Sequence, residues 1–393
     1  MSLKGFQFSV VEAAIKKPGR KDLALVFSEK PAVAAAVFTT NKVKAAPVLL
    51  SAERIAAGQA QALVVNSGNA NACTGAQGMV DARETSQLVA EGLGISDELV
   101  QVCSTGVIGV PLPMERLTAA IPALVAGRGT ATLDDLAAAI MTTDTFPKTA
   151  VRTGAVNGIG YTIAGTAKGA GMIMPNMATM LSFVLTDAAV DPVLLDTCFK
   201  AAVDRSFNAI TVDGDTSTND TCLLMANGAA GTDTIAADIP EARQFAQLLD
   251  EVLLDLARQI VKDGEGATKF VEIRITGAAD DVDAKRAALA VANSSLVKTA
   301  FCGQDANWGR IFAAVGYSGA VINPDRLALW FNEVCMARDG VFAGGDAEAR
   351  GTEVLKNKEF VVTVDLGIAD GRATVFTCDL THEYVSINAD YRT

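Results

Sequence analysis

Lys168-Gly-Ala-Gly-Met-Ile-Met-Pro-Asn-Met-Ala-Thr-Met-Leu181 is too apolar for an ordinary loop and too rich in glycine and proline for an ordinary helix. Four methionines, Met172, Met174, Met177 and Met180, crowd around Pro175 and Asn176, and a small residue, Ala178, precedes Thr179. From Met180 to Leu185 the chain reads Met-Leu-Ser-Phe-Val-Leu, the apolar run of a buried strand. Upstream, Val151–Gly165 alternates around Asn157-Gly158, a strong hairpin turn signal. Sheet is therefore expected on both sides, and the stretch is presented from that sheet.

A threonine hydroxyl is a weak nucleophile at neutral pH. An N-terminal α-amine, with a pKa of about 8, can serve as its base. We expect the chain to cut itself between Ala178 and Thr179, so that Thr179 carries both nucleophile and base. A Ser–His–Asp site has one possible base, His382, in the last dozen residues. The plainer alternative is a glycine-rich turn leading into a core strand.

Working outward, Leu23–Ser28 and Ala32–Thr39 read as two strands around Glu29-Lys30-Pro31. Ser51 could cap a short helix through Ala57. A strand, Ala62–Val65, delivers Asn66-Ser-Gly-Asn-Ala-Asn-Ala-Cys-Thr-Gly75, which reads as a site wall or as a tight strand-to-helix connection. It matches no phosphate-loop pattern. A helix, Met79–Gly92, and a strand, Leu99–Cys103, precede Ser104-Thr-Gly-Val-Ile-Gly109. A hydroxyl and a glycine N–H at a strand end can hold a developing oxyanion, or can be a plain turn. Leu112–Ala126 looks helical, with Pro122 a possible kink, and Leu133–Ile140 looks helical too. The hydroxyls of Thr142-Thr-Asp-Thr-Phe-Pro-Lys148 could bind a polar substrate or cap a helix end.

Pro192–Ser206 reads as a helix with proline at its start, and Pro240–Val261 as a long amphipathic one. The latter stops at Asp263-Gly-Glu-Gly266, where Glu265 could hold a substrate ammonium or sit in a solvated loop. Asp213, Asp215 and Ser217 imitate a calcium loop, but Thr218 and Leu224 stand where it needs glycine and glutamate. A strand is expected at Phe270–Ile275, helices at Asp281–Ala292 and Gln304–Val315, and a strand at Leu327–Val334. Phe360–Leu366 and Ala373–Cys378 read as a closing antiparallel pair.

The length of 393 residues allows one large domain or two to three ordinary ones. Half the residues are apolar and only 6% aromatic, so the core is aliphatic. A net charge of −12 argues against nucleic-acid binding, which needs clustered Lys and Arg. Seven widely spaced cysteines without a CxxC read as reduced thiols of a cytoplasmic protein, and no zinc or other metal site is expected. The opening Met-Ser-Leu-Lys-Gly shows no signal-peptide pattern, and no apolar run approaches membrane-spanning length.

The Lys168–Leu181 stretch resembles the cleavage and nucleophile motif of the ornithine acetyltransferase (glutamate N-acetyltransferase) family of arginine biosynthesis. Similar matches are N-S-G-N-A-N-A-C-T-G at Asn66–Gly75, S-T-G-V-I-G at Ser104–Gly109 and M-T-T-D-T-F-P-K at Met141–Lys148. They continue with F-N-A-I-T-V-D-G-D-T-S-T-N-D-T at Phe207–Thr221, K-D-G-E-G-A-T-K at Lys262–Lys269 and Y-V-S-I-N-A-D-Y-R-T at Tyr384–Thr393. The resemblance implies an α/β fold of layered sheets and helices forming one interlocked catalytic unit. It implies an α chain, 1–178, and a β chain, 179–393, assembled as α2β2. It also implies ping-pong acetyl transfer from N-acetylornithine to glutamate, with Thr179 as nucleophile.

In that family the Thr-Gly pair, here Thr105 and Gly106, holds the oxyanion. Lys168 pairs with the substrate carboxylate, Glu265 is a substrate ligand, and Asn388 and Thr393 contact substrate from the chain end. One threonine near 142 also contacts substrate, with Thr142 preferred and Thr143 its rival. His382 has no role there and reads as structural. No metal or organic cofactor is implied. Acetyl-CoA is a possible second acetyl donor, and we read the chain as bifunctional. The alternatives are a self-processing amidase or aminopeptidase, and an uncleaved small-molecule binding protein.

Overall fold

The computed structural model describes residues 3–174 and 180–390. Their contacts group into two compact units: residues 3–172, 180–208 and 215–260 form the first, and 173–174, 209–214 and 261–390 the second. The stretch opened by Lys168 contributes to both.

The first unit is built on a sheet of eight described strands. β1 (Phe6–Val11), β2 (Leu23–Phe38) and β3 (Gln59–Asn69) are joined by antiparallel ladders, with α1 (Ala46–Ile55) between β2 and β3. α2 (Gly75–Leu93) then crosses to β4 (Val100–Val107), parallel to β3. α3 (Met114–Ala126) and α4 (Leu133–Ala139) precede the hairpin of β5 (Lys148–Val156) and β6 (Ile159–Lys168). β7 (Leu181–Thr186), α5 (Pro192–Arg205), β8 (Thr221–Ala226) and α6 (Glu241–Lys262) complete the order. The sheet runs β4-β3-β2-β8-β7-β6-β5, with β1 beside β2.

Both faces of this sheet are covered, which explains its near-continuous apolar strands. On β3, Leu63 and Val65 enter a core with Phe183 and Leu136, while Ala62 and Val64 enter another with Leu50, Val89 and Leu117. The hairpin turns at Asn157 (φ 49°) and Gly158 (φ 81°), the two left-handed residues its tight turn requires.

The second unit carries β9 (Phe270–Ala278), α7 (Asp281–Asn293), α8 (Ser295–Cys302) and α9 (Trp308–Gly316). β10 (Ala328–Phe331), β11 (Val334–Arg338), β12 (Val341–Phe342), α10 (Ala347–Leu355), β13 (Glu359–Asp365), β14 (Gly371–Cys378) and α11 (His382–Ala389) follow. Its sheet of described strands runs β12-β11-β10-β13-β9-β14. Val271, Ile273 and Ile275 of β9 face a core shared with Ala284, Ala288 and Val291 of α7.

Several expectations are corrected. The two strands around Pro31 are one strand, because Glu29, Lys30 and Pro31 are exposed and stand outside the paired registers of β2, where a missing N–H breaks no ladder bond. Ser51 is no cap: it lies inside α1, which starts at Ala46, and its hydroxyl donates to Val102 O and accepts from Val102 N–H. The expected strand 327–334 is a hairpin, β10–β11, turning at Asn332, whose short polar side chain tolerates φ 46°. β13 and β14 do not pair; β9 lies between them, parallel to β13 and antiparallel to β14. Alternation shows which face is covered, not which strand is the neighbour. α8 was not foreseen, and α9 begins at Trp308 rather than Gln304.

Candidate active site

β3 and β4 run parallel, and near their ends Gly68 stands opposite Gly106. A Cβ on Gly106 would lie 2.3 Å from the Gly68 carbonyl carbon, and the residue has φ 137°, so only glycine fits. Asn66 and Asn69, at the end of β3 rather than in a turn after it, and Asn71 beyond it are buried and donate to backbone carbonyls. Asn66 Nδ2 donates to Asn69 O at 2.8 Å, and Asn69 Nδ2 to Val110 O at 3.1 Å. Asn219 Nδ2, missed in the sequence, donates to Ala70 O at 2.6 Å and Ser104 O at 2.8 Å. This network holds the backbone that carries Thr105 and Gly106.

Lys168 ends β6 with only 3% of its surface exposed. Its Nζ donates to Thr142 Oγ1 at 2.8 Å and to Thr105 Oγ1 at 3.3 Å. The fold thus converges three sequence-predicted residues. Of the two rival threonines, Thr142 is the one whose hydroxyl accepts from Lys168. With its oxygen accepting that bond, the Thr105 hydroxyl keeps its hydrogen for another acceptor.

Two further charges in the motif Met141–Lys148 escaped the sequence reading. The Asp144 carboxylate accepts from Lys148 Nζ at 2.7 Å, from Gly169 N–H at 2.6 Å and from Thr142 N–H at 3.0 Å. Lys168 Nζ lies 3.9 Å from Oδ2, the oxygen that accepts from Thr142. Burial pushes the Asp144 carboxyl up, but Lys168 and Lys148 outweigh it and hold it at about 2. No local pattern marked the pair, because residues 144–148 lie outside any helix and their spacing carries no pairing signal there.

Asp220 also went unassigned. It is wholly buried, and its Oδ1 accepts the Met180 N–H at 2.9 Å. Burial raises this carboxyl well above the usual range, against the Met180 bond and Lys168. Thr221 N–H donates to Met180 O at 3.1 Å. Met180 is therefore tied to the start of β8 through both backbone groups. Ala178 and Thr179 lie outside the described residues, as does Thr393.

In the second unit, Glu265 is 8% exposed and accepts from Asn388 Nδ2 at 2.7 Å. It is therefore no solvated loop residue. Gly266 has φ 68°, and a Cβ there would meet Tyr384 N at 2.7 Å, so α11 comes close to this turn. Tyr384 Oη donates to Asp213 Oδ2 at 3.1 Å, and Asp213 Oδ1 accepts the Ile173 N–H at 2.9 Å. His382 opens α11 with its side chain exposed, so the structural role expected of it is not a buried one.

The first unit thus offers a buried ammonium beside two hydroxyls and a strand-end glycine, an arrangement able to receive a carboxylate and a polarised carbonyl oxygen. This fold and site are those of an acyl-transferring enzyme. The ArgJ family model matches residues 7–393. The chain is 70% identical to the arginine biosynthesis bifunctional protein ArgJ of Geobacter sulfurreducens and 58% identical to that of Syntrophotalea carbinolica, each over the whole of both chains. The crystal structure of arginine biosynthesis bifunctional protein argJ from Bacillus halodurans superposes with TM-score 0.52 at 43% identity, covering 54% of this chain and 99% of that one. The chain belongs to the ArgJ family.

Proposed function

We propose that Thr179, freed by self-cleavage after Ala178, carries the acetyl group as this chain transfers it from N-acetylornithine to glutamate. The chain is a bifunctional enzyme of arginine biosynthesis, in keeping with its 70% identity to a relative so named. It acts on small molecules, and acetyl-CoA is its second acetyl donor. The observation that carries the site reading is Lys168, whose ammonium bridges Thr105 and Thr142.

In the proposed mechanism the Thr179 hydroxyl attacks the acetyl carbonyl and its proton passes to the α-amine of the same residue. The Thr105 hydroxyl and Gly106 N–H donate to the oxyanion. Collapse breaks the C–N bond, and the departing ornithine amine takes the proton back from the α-ammonium. The glutamate amine then attacks the acetyl–Thr179 ester and passes its proton to the α-amine, and collapse expels the threonine oxygen, which takes that proton back as its hydroxyl. Lys168 pairs with the substrate carboxylate and Thr142 supports it. Glu265 is assigned to a substrate ammonium, with Asn388 and Thr393 as further contacts. The α chain (1–178) and β chain (179–393) assemble as α2β2 in the cytoplasm, a location that the seven free cysteines support.

The test is the denatured intact mass of the protein beside a Thr179→Ala variant. Two fragments divided after Ala178 in the parent and one chain in the variant are expected. A single chain in both would remove the N-terminal nucleophile. Turnover of N-acetylornithine should then require glutamate; turnover without it would mean hydrolysis.

A further inference from the structure

We propose that Asp144 and Lys148 act as one buried unit that positions Lys168 and keeps its ammonium available to the substrate carboxylate. The inference rests on the reading of Lys168 as the carboxylate partner. Its basis is geometric. The Asp144 carboxylate holds the N–H of Thr142 at 3.0 Å and that of Gly169 at 2.6 Å. One is the residue that accepts from Lys168, and the other follows Lys168 in the chain. Asp144 therefore fastens the loop after α4 to the end of β6 and sets the span that Lys168 bridges.

Lys148 decides the charge. Its side chain and that of Asp144 are both 0% exposed, and they meet at 2.7 Å. It begins β5 opposite Ala167, the neighbour of Lys168. Its backbone carbonyl accepts from Thr166 Oγ1 at 2.9 Å, and its Nζ lies 4.9 Å from the Phe146 ring centre. One carboxylate thus faces two ammoniums, the nearer belonging to Lys148 and the farther, at 3.9 Å, to Lys168. In a poorly solvated pocket opposite charges attract strongly. Remove Lys148, and Asp144 draws Lys168 to itself, in competition with any incoming carboxylate. Remove both charges of the pair, and Lys168 is again available.

A residue that only filled space would not distinguish ligands by their carboxylate. Ornithine and putrescine differ in that group alone, so their inhibition constants against acetyl transfer isolate it. In Lys148→Met we expect the preference for ornithine over putrescine to fall roughly tenfold, the scale of one charge-assisted bond. In Asp144→Asn/Lys148→Met, where the amide keeps one oxygen for a backbone N–H, the preference should return part of the way towards the parent value. Lys148→Gln gives the same readout if the methionine variant does not fold. An unchanged preference in the folded single variant, or an equal loss in single and double variants, would overturn the proposal. If the parent itself shows no preference for ornithine, it is the assignment of Lys168 that fails. Each variant is checked by denatured mass for complete cleavage.

Discussion

At the scale of single residues, Asp144 carries the most consequence outside the reacting groups. Its carboxyl is held at about 2 in the fold, against 3.8 for the free group. A depressed carboxyl contributes stability that is present above the unfolded pKa and is lost as pH falls through the folded one. Here that window runs from about pH 4 down to about pH 2, and the contribution is roughly 2 kcal/mol. The fall in stability between pH 5 and pH 2 should therefore be smaller in Asp144→Asn/Lys148→Met than in the parent. An equal fall in both proteins would count against the pair. Asp220 shows the opposite environment: burial outweighs the Met180 bond and the Lys168 charge. Neither aspartate was distinguishable in the sequence from a surface acid, because what sets them apart is the company brought in by other strands.

At the scale of elements, the β5–β6 hairpin presents Lys168, and its turn was legible at once as Asn157-Gly158. A Cβ on Gly158 would meet nothing within 4 Å, yet the backbone stands at φ 81°. Gly158→Ala should thus cost roughly 1 kcal/mol through conformation alone. The check is a lower urea midpoint with an unchanged slope; an unchanged midpoint would show that the turn relaxes freely. The turn between β10 and β11 was missed because Asn332 is followed by Glu333 rather than glycine. Pro31 was over-read as a break, since proline disrupts only the ladder bond it would have donated.

At the scale of the whole molecule, the proposed cleavage after residue 178 would have a topological consequence. The first fragment would supply β1 to β6 of the first sheet, and the second would supply β7 and β8. In the sheet β8 lies against β2 and β7 against β6. The ladders run from Val33↔Ala226 to Phe38↔Thr221 and from Ile163↔Thr186 to Lys168↔Leu181. The fragments could separate only by breaking both ladders and exposing Phe183 and Leu223, which are buried between the covered faces. The processed protein should therefore keep its native mass while its denatured mass divides. Fragments that part in native buffer would contradict this strand order.

By itself the sequence determined most of the elements and, through its long motifs, the family, and it named candidate site residues. Alternation, turn chemistry and long motifs are local, and they can be read one segment at a time. Resemblance to the family, rather than local pattern, proposed Thr105, Gly106, Thr142, Lys168, Glu265 and Asn388 as site residues without any coordinates. Only the tertiary structure decided that β9 separates β13 from β14, that Thr142 rather than Thr143 meets Lys168, and that Asp144, Lys148 and Asp220 are buried charges or acids. The physical reason is that strand neighbours and desolvation depend on residues far away in the chain. An aspartate becomes special through what surrounds it, and its surroundings are assembled only when the strands pair.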